Sequence, residues 1–368
     1  MTDQQTLPTT TGQSRNTAAT FLMAGGGTGG HVIPALAVAR ELRSRGHKVF
    51  FVGTRHGMES RLVPPDGFEL KTIDVGGLNQ VSWKQKLATL TRLPLTTLNC
   101  DPTVRDASAV FSMGGYVAGP PVMAAIVRRV PVVVMEPNAI PGFTNRVIAR
   151  LVSRALVSFP ETAAFFPKGR TEVTGLPVRE EFFRIQPKPR GEVLHILVTG
   201  GSQGSRTLNQ AARQSWPLFR KSRLPVRITH QTGTTAFQEI RDAFDGSGLE
   251  GEIVPFVADM PAAFAAADLI VCRSGAGTVS ELAAACKASI LVPFPFAADD
   301  HQTRNAQALE RAGAARLVRD AEMTGEILFE VVTSVTGELT RMGAAARQFA
   351  KPGAAKRAAD ILEEVARH

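Results

Sequence analysis

Short apolar runs alternate with stretches whose apolar positions recur at helical spacing, and the alternation covers nearly the whole chain. "ATFLMA" reads as a buried strand, "HVIPALAVARELRSRG" as an amphipathic helix and "HKVFFVG" as the next strand. "DASAVFSMG", "PPVMAAIVRR", "VPVVVME", "FTNRVIARLVS" and "ALVSF" continue the series. Pro and Gly then gather in "TGLPVREEFFRIQPKPRGE", which reads as a linker. Beyond it the opening arrangement recurs as "VLHILVTGGSQGSRTLNQAA", followed by "VRITHQTG", "GEIVPFV", "ADLIVCRSG", "SILVPF" and "AARLV". Strands that are apolar throughout and joined by helices predict parallel sheets covered on both faces. The expected class is therefore α/β, with two Rossmann-like doubly wound domains of similar size. The expected boundaries are a polar tail at 1–18, a first domain at 19–175, a linker at 176–192 and a second domain at 193–351.

Composition narrows the setting. The 368 residues carry 42 Lys and Arg against 33 Asp and Glu, a net charge of +9. That balance suits an acidic partner: nucleic acid, anionic lipid or a phosphorylated substrate. Aromatic residues make up 6% of the chain and include a single Tyr, which leaves little for base stacking, so nucleic acid is not expected. The three cysteines, Cys100, Cys272 and Cys286, are scattered without metal-ligand spacing, as suits a reducing compartment. The polar opening "MTDQQTLPTTTGQSRNTA" has neither a signal-peptide nor an anchor pattern, and no apolar run reaches the roughly 20 residues needed to span a bilayer.

Candidate chemistry sits in the turns that follow strands. "MAGGGTGGHVIPA" holds Gly25, Gly26, Gly27, Gly29 and Gly30 around Thr28. Glycines let backbone N–H groups approach an anion, and the following helix contributes its positive end. Gly25, Gly27 and Gly30 fit G-x-G-x-x-G, but a dinucleotide site also wants an acid closing the second strand. That strand ends in Val52, Gly53 and Thr54, which lowers the case for a nicotinamide-dependent oxidoreductase. The loops "SMGGYVAGPP", "TGGSQGS" and "CRSGAGTVSE" are glycine-rich in the same way. Thr278 and Glu281 fit a capping box, so Glu281 either closes a helix end or offers its carboxylate to vicinal ribose hydroxyls. Arg273 ends a strand and suits either a diphosphate or a surface ion pair. His31 follows the first loop at a helix N-terminus, where a neutral imidazole is favoured; it either caps the helix or takes a proton from an attacking hydroxyl. Glu136 is the second candidate base. No D-x-D closes a strand, so no divalent ion is expected to be essential. The segment 76–94 mixes Leu78, Val81, Trp83 and Leu87 with Lys84 and Lys86. It reads either as an amphipathic helix covering a core or as a surface for anionic lipid.

Together "GGGTGGHVIPALAVA", "SMGGYVAGPP", "EPNAIPGFTNR", "GLPVR", "TGGSQGS", "PFVADM", "ADLIVCRSGAGTVSELAAA" and "VPFPFAADDHQTRNA" resemble, in family order, the MurG family of peptidoglycan N-acetylglucosaminyltransferases. The resemblance implies a GT-B fold. It implies inverting transfer of GlcNAc from UDP-GlcNAc to the 4-hydroxyl of N-acetylmuramic acid on lipid I, giving lipid II, at the cytoplasmic face of the cell membrane; the alternative is another GT-B glycosyltransferase with a different lipid or small-molecule acceptor. It also implies proteins of cell-wall synthesis as partners. By the same resemblance, Glu281 binds ribose, Val257 meets uracil through its backbone, and Ser202, Arg273, Gly277 and Thr278 surround the diphosphate. Asn138, His301 and Gln302 contact the sugar, Arg179 lies at the nucleotide, and Thr28, Gly29 and Gly30 border the donor. His31, Gly26, Gly27, Gly114, Gly115 and Tyr116 face the acceptor. The last helix, about 352–368, packs back on the first domain. Four positions depart from the pattern: Leu176 stands where many members have Asn, Met135 and Pro137 replace polar side chains found in some, and His301 stands before Gln302 where some have a Gln pair.

Overall fold

A computed structural model describes residues 18–74, 97, 100, 102–187 and 191–367. The first domain carries β1 (Thr20–Ala24), β2 (Lys48–Gly53), β3 (Glu69–Thr72), β4 (Ala109–Ser112), β5 (Val132–Glu136), β6 (Arg154–Val157) and β7 (Thr171–Val173). They form one sheet in the order β3-β2-β1-β4-β5-β6-β7. The second carries β8 (Leu194–Thr199), β9 (Val226–Gln231), β10 (Glu250–Val254), β11 (Leu269–Cys272), β12 (Ala288–Leu291) and β13 (Ala315–Leu317), ordered β10-β9-β8-β11-β12-β13. Every pairing within the two sheets is parallel. The short outer strands β3 and β7 have only four and three residues, too few to stand out in the hydrophobic pattern.

Strand alternation builds the cores. Phe21 and Met23 of β1 face one layer, while Leu22 and Ala24 face the other. In β11, Leu269 and Val271 join one cluster, and Ile270 and Cys272 the opposite one. Each sheet is thus buried on both sides, which is why its strands read as unbroken apolar runs.

Two connections tie the halves together. The stretch expected to be a linker is packed: Leu176 is buried in the first core, and the Glu180–Phe183 helix sets Phe182 edge-on against Phe264. The Ala354–Ala366 helix lies against the Gly29–Ser44 helix and gives Ala358, Ala359, Ile361, Leu362 and Val365 to the first domain's core. Arg45 binds Asp360 and Glu363, His47 lies 2.9 Å from Glu363, and Arg357 grips Glu172 through two nitrogens.

Candidate active site

Both sheets present the carboxyl ends of their strands to a shared cleft, where a switch in strand order leaves room for ligand. Contacts cross it. Asn305, fully buried, accepts from the Ala139 N–H at 2.9 Å and donates to the Asn138 side chain at 3.1 Å. Arg146 meets Asp299 at 3.3 Å, and Arg179 lies 3.9 Å from Glu281.

On the first domain, the loop after β1 leads into the Gly29–Ser44 helix, with Thr28 at its N-cap. Gly29 and Gly30 occupy the first turn, whose N–H groups have no intrahelical acceptor. His31 is half-buried, and its Nδ1 lies 3.3 Å from the Gly26 carbonyl oxygen. Burial holds its pKa below the ordinary value, partly offset by that carbonyl. The loop after β4 closes over it: Gly115 packs on the imidazole and Tyr116 on Gly27.

A carboxylate that no sequence motif marks lies beneath this loop. Glu59 is fully buried; it accepts from the Gly27 N–H at 2.8 Å and from both the N–H and hydroxyl of Thr54 at 2.7 Å. Burial alone would raise its pKa, but the bonds from Thr54 and Gly27 outweigh that and hold it below the usual carboxylate range. A Cβ at Gly26 would stand 2.5 Å from this carboxylate, so only glycine fits there. The Gly27 N–H, expected to be offered to an acceptor, is already taken. The acid sought at the end of β2 arrives five residues after Thr54 and turns inward.

Glu136, the second candidate base, is withdrawn from the cleft. Only 2% exposed, it accepts from the Asn138 N–H and side chain, the Gly142 N–H and the Asn145 side chain. With four donors upon it, the carboxylate braces the turn after β5. Asn138 is spent in the same network, donating to Glu136 and accepting from Asn305.

On the second domain, Ser202 is exposed in the loop after β8, and Ser205 caps the Arg206–Ser222 helix through the Leu208 N–H. Arg273 is committed internally, to Asp320, to the Ser205 hydroxyl and to the Val292 and Pro293 carbonyls. It braces the loops rather than reaching into the cleft. Gly277, Thr278 and Glu281 lie within the Ala276–Ala284 helix, whose N-cap is Gly275. The capping-box reading of Thr278 and Glu281 therefore fails. Burial pushes the Glu281 carboxyl up to about 7, with Arg179 pulling the other way. His301 opens the His301–Arg311 helix, where its charge bears on His31 across the cleft. Gln302 accepts from the Phe294 N–H at 3.0 Å, and Val257 is half-buried after β10. The segment 76–94, with Leu78, Val81, Trp83, Lys84, Lys86 and Leu87, lies outside the described residues.

Two facing nucleotide-type domains around such a cleft are the GT-B arrangement, and the family matches make this a glycosyltransferase. Residues 21–157 match the glycosyltransferase family 28 N-terminal domain and residues 195–365 the glycosyltransferase family 28 C-terminal domain. The chain is 87% identical, over all of both chains, to the UDP-N-acetylglucosamine--N-acetylmuramyl-(pentapeptide) pyrophosphoryl-undecaprenol N-acetylglucosamine transferase of Solibacter usitatus (strain Ellin6076). It is 39% identical to the enzyme of that name from Myxococcus xanthus (strain DK1622), over 94% of this chain and 92% of that one. The crystal structure of Acinetobacter baumannii MurG superposes with a TM-score of 0.80 at 34% identity, covering 94% of this chain and 99% of that one. The chain belongs to the MurG family.

Proposed function

We propose that this enzyme moves GlcNAc from UDP-GlcNAc to the 4-hydroxyl of the N-acetylmuramyl-pentapeptide unit of lipid I, giving lipid II and UDP for peptidoglycan synthesis. The donor lies on the second domain. Glu281 accepts from the ribose hydroxyls, the Val257 backbone meets uracil, and the diphosphate rests on the loop around Ser202 and the first turn holding Gly277 and Thr278. Helix ends and free backbone N–H groups stabilise the charge that grows on the departing UDP. His301 and Gln302 border the sugar, with Arg179 beside the nucleotide. Arg273 and Asn138 act behind this surface as braces. The acceptor lies on the first domain, against Gly114, Gly115 and Tyr116, while Thr28 and the N–H groups of Gly29 and Gly30 border the donor.

The observation that carries this reading is the pairing of His31 Nδ1 with the Gly26 carbonyl. A carbonyl can only accept, so the neutral ring keeps its proton on Nδ1 and its lone pair on Nε2. Nε2 takes the proton of the acceptor 4-hydroxyl as that oxygen bonds to the anomeric carbon. The bond from that carbon to the diphosphate breaks, and its electron pair leaves with UDP on the opposite face, inverting configuration.

Transfer proceeds on a membrane surface. Among the described residues no helix is long and apolar enough to cross a membrane. Phe143, Val147 and Leu151, each more than half exposed, recur every fourth residue beside Arg146 and Arg150 on the first domain. Such a mixture suits peripheral docking on anionic lipid, and the sequence of 76–94 carries a similar combination of apolar and basic residues.

The test is radiolabel transfer from UDP-GlcNAc to a lipid I analogue, with EDTA present. Product should form at the undiminished rate. His31→Ala should keep UDP binding and lose most turnover; full turnover would remove His31 from the base role. Trp83→Ala combined with Lys84→Glu should weaken binding to anionic liposomes, and unchanged binding would exclude that segment.

A further inference from the structure

Glu59 and His31 do not touch, yet they hold the two edges of one peptide unit. The Gly27 N–H donates to Glu59 Oε2 at 2.8 Å, and the Gly26 carbonyl of the same unit faces His31 Nδ1 at 3.3 Å. The unit is trans, so its N–H and C=O point in opposite directions and its plane links carboxylate to imidazole. We propose that Glu59 is a positioning residue for the transfer reaction, acting through the Gly26–Gly27 peptide to fix the tautomer and aim of His31. This rests on the reading of His31 as the base.

Three observations converge on it. The carboxylate is fully buried and tied to the end of β2 by the Thr54 N–H and hydroxyl, so its position is set by the sheet. Gly26, Gly53 and Gly57 wrap it so closely that a Cβ at any of them would lie within 2.6 Å of its side chain. The pocket is therefore shaped to the carboxylate. Finally, a carboxylate on an amide N–H polarises that amide and makes its carbonyl a stronger acceptor. Where a dyad would set a carboxylate directly on the imidazole, here one peptide intervenes. Of the charged and titratable groups bearing on His31, Glu59 raises its basicity and His301, from the second domain, lowers it. Tyr116, against Gly27, is held neutral by burial and by Glu59.

The experiment measures kcat and donor KM against pH for the full-length enzyme, with UDP-GlcNAc and a lipid I analogue, in the wild type, Glu59→Gln, His31→Ala and the double variant. Calorimetric binding of UDP verifies the fold of each. Glu59→Gln should lower kcat about 10–100-fold, by analogy with the groups that orient metal-ligating histidines, with donor KM within about twofold. The acid limb of kcat should move to lower pH, because His31 loses a partner that favours its protonated form. In the His31→Ala background Glu59→Gln should cost nothing further. An equal loss in that background, or an unmoved limb, overturns the relay and leaves the base assignment standing. Full turnover in His31→Ala alone defeats the base assignment and the relay with it. Should Glu59→Gln fail to bind UDP, Thr54→Val, which loosens the hold on Glu59 but keeps its charge, decides: it should give a smaller kcat loss with donor KM within about twofold, and an unchanged kcat overturns the proposal.

Discussion

Glu281→Gln separates stability from binding in one substitution. The carboxyl sits in the Ala276–Ala284 helix at 26% side-chain exposure, and burial raises it from 4.5 to about 7. At 1.36 kcal/mol per pKa unit, burying that charge in the unliganded protein costs about 3 kcal/mol at most, and about 1–3 kcal/mol once water at the exposed edge is counted. Because the folded-state value lies above the unfolded one, both states are protonated well below pH 4.5 and nothing is lost there. Stability falls as pH rises from there through about 7, and the full cost is present above that. The uncharged amide avoids it. Glu281→Gln should therefore raise the melting temperature of the unliganded enzyme at pH 8 by roughly 2–12 °C, and much less at pH 5. The same change replaces by an amide the carboxylate proposed to hold the ribose. A hydrogen bond to a charged group contributes about 1.5–3 kcal/mol, so UDP affinity at pH 8 should drop about 10–100-fold. Differential scanning fluorimetry at both pH values and calorimetry with UDP measure the two effects. A melting temperature at pH 8 equal to or below the wild type's refutes the electrostatic argument; unchanged UDP affinity refutes the ribose assignment.

Arg273→Ala leaves Asp320 without its ion-pair partner at 19% exposure and frees the Ser205 cap, so it should destabilise by about 3 kcal/mol and raise donor KM, with Lys restoring only part of the loss in a melt and a KM series. Leu362→Ala opens a cavity in the first core from the chain's far end and should lower stability by about 2–5 kcal/mol in denaturant melts, while UDP affinity on the other domain stays put. The acid limb of wild-type kcat should lie below the ordinary histidine value of about 6.5, because burial favours the neutral imidazole; a pH–rate profile measures it.

The sheets are legible in the sequence because strands covered on both faces must be apolar at every position, as in "VVVME" and "LIVC". The loops after β1, β4, β8 and β11 are legible for a different reason: backbone that approaches an anion leaves glycine behind it. What escapes is long-range partnership. Nothing in "HGMES" says that Glu59 turns inward beneath a loop 32 residues away, although an acid shortly past the second strand is a usable signal. Asn305 looks like one more polar residue on a helix, yet it joins the two domains. Arg273 and Glu136 do stand at strand ends, but their side chains turn inward. Which way a strand-end side chain turns depends on donors and acceptors supplied by distant segments, and local spacing carries none of that.

The Ala354–Ala366 helix also governs the order in which the molecule can mature. The first domain is completed by a segment that follows the whole second domain in sequence. Its layer of Phe21, Met23, Leu36 and Phe51 lacks the Ile361, Leu362 and Val365 cover until that helix has been made. The roughly 310 residues between the two helices take about 15–60 s to synthesise at 5–20 residues per second. Through that interval the nascent first domain exposes an apolar face, a natural site for chaperone capture. A chain that stopped short of the Ala354–Ala366 helix would leave that face permanently uncovered.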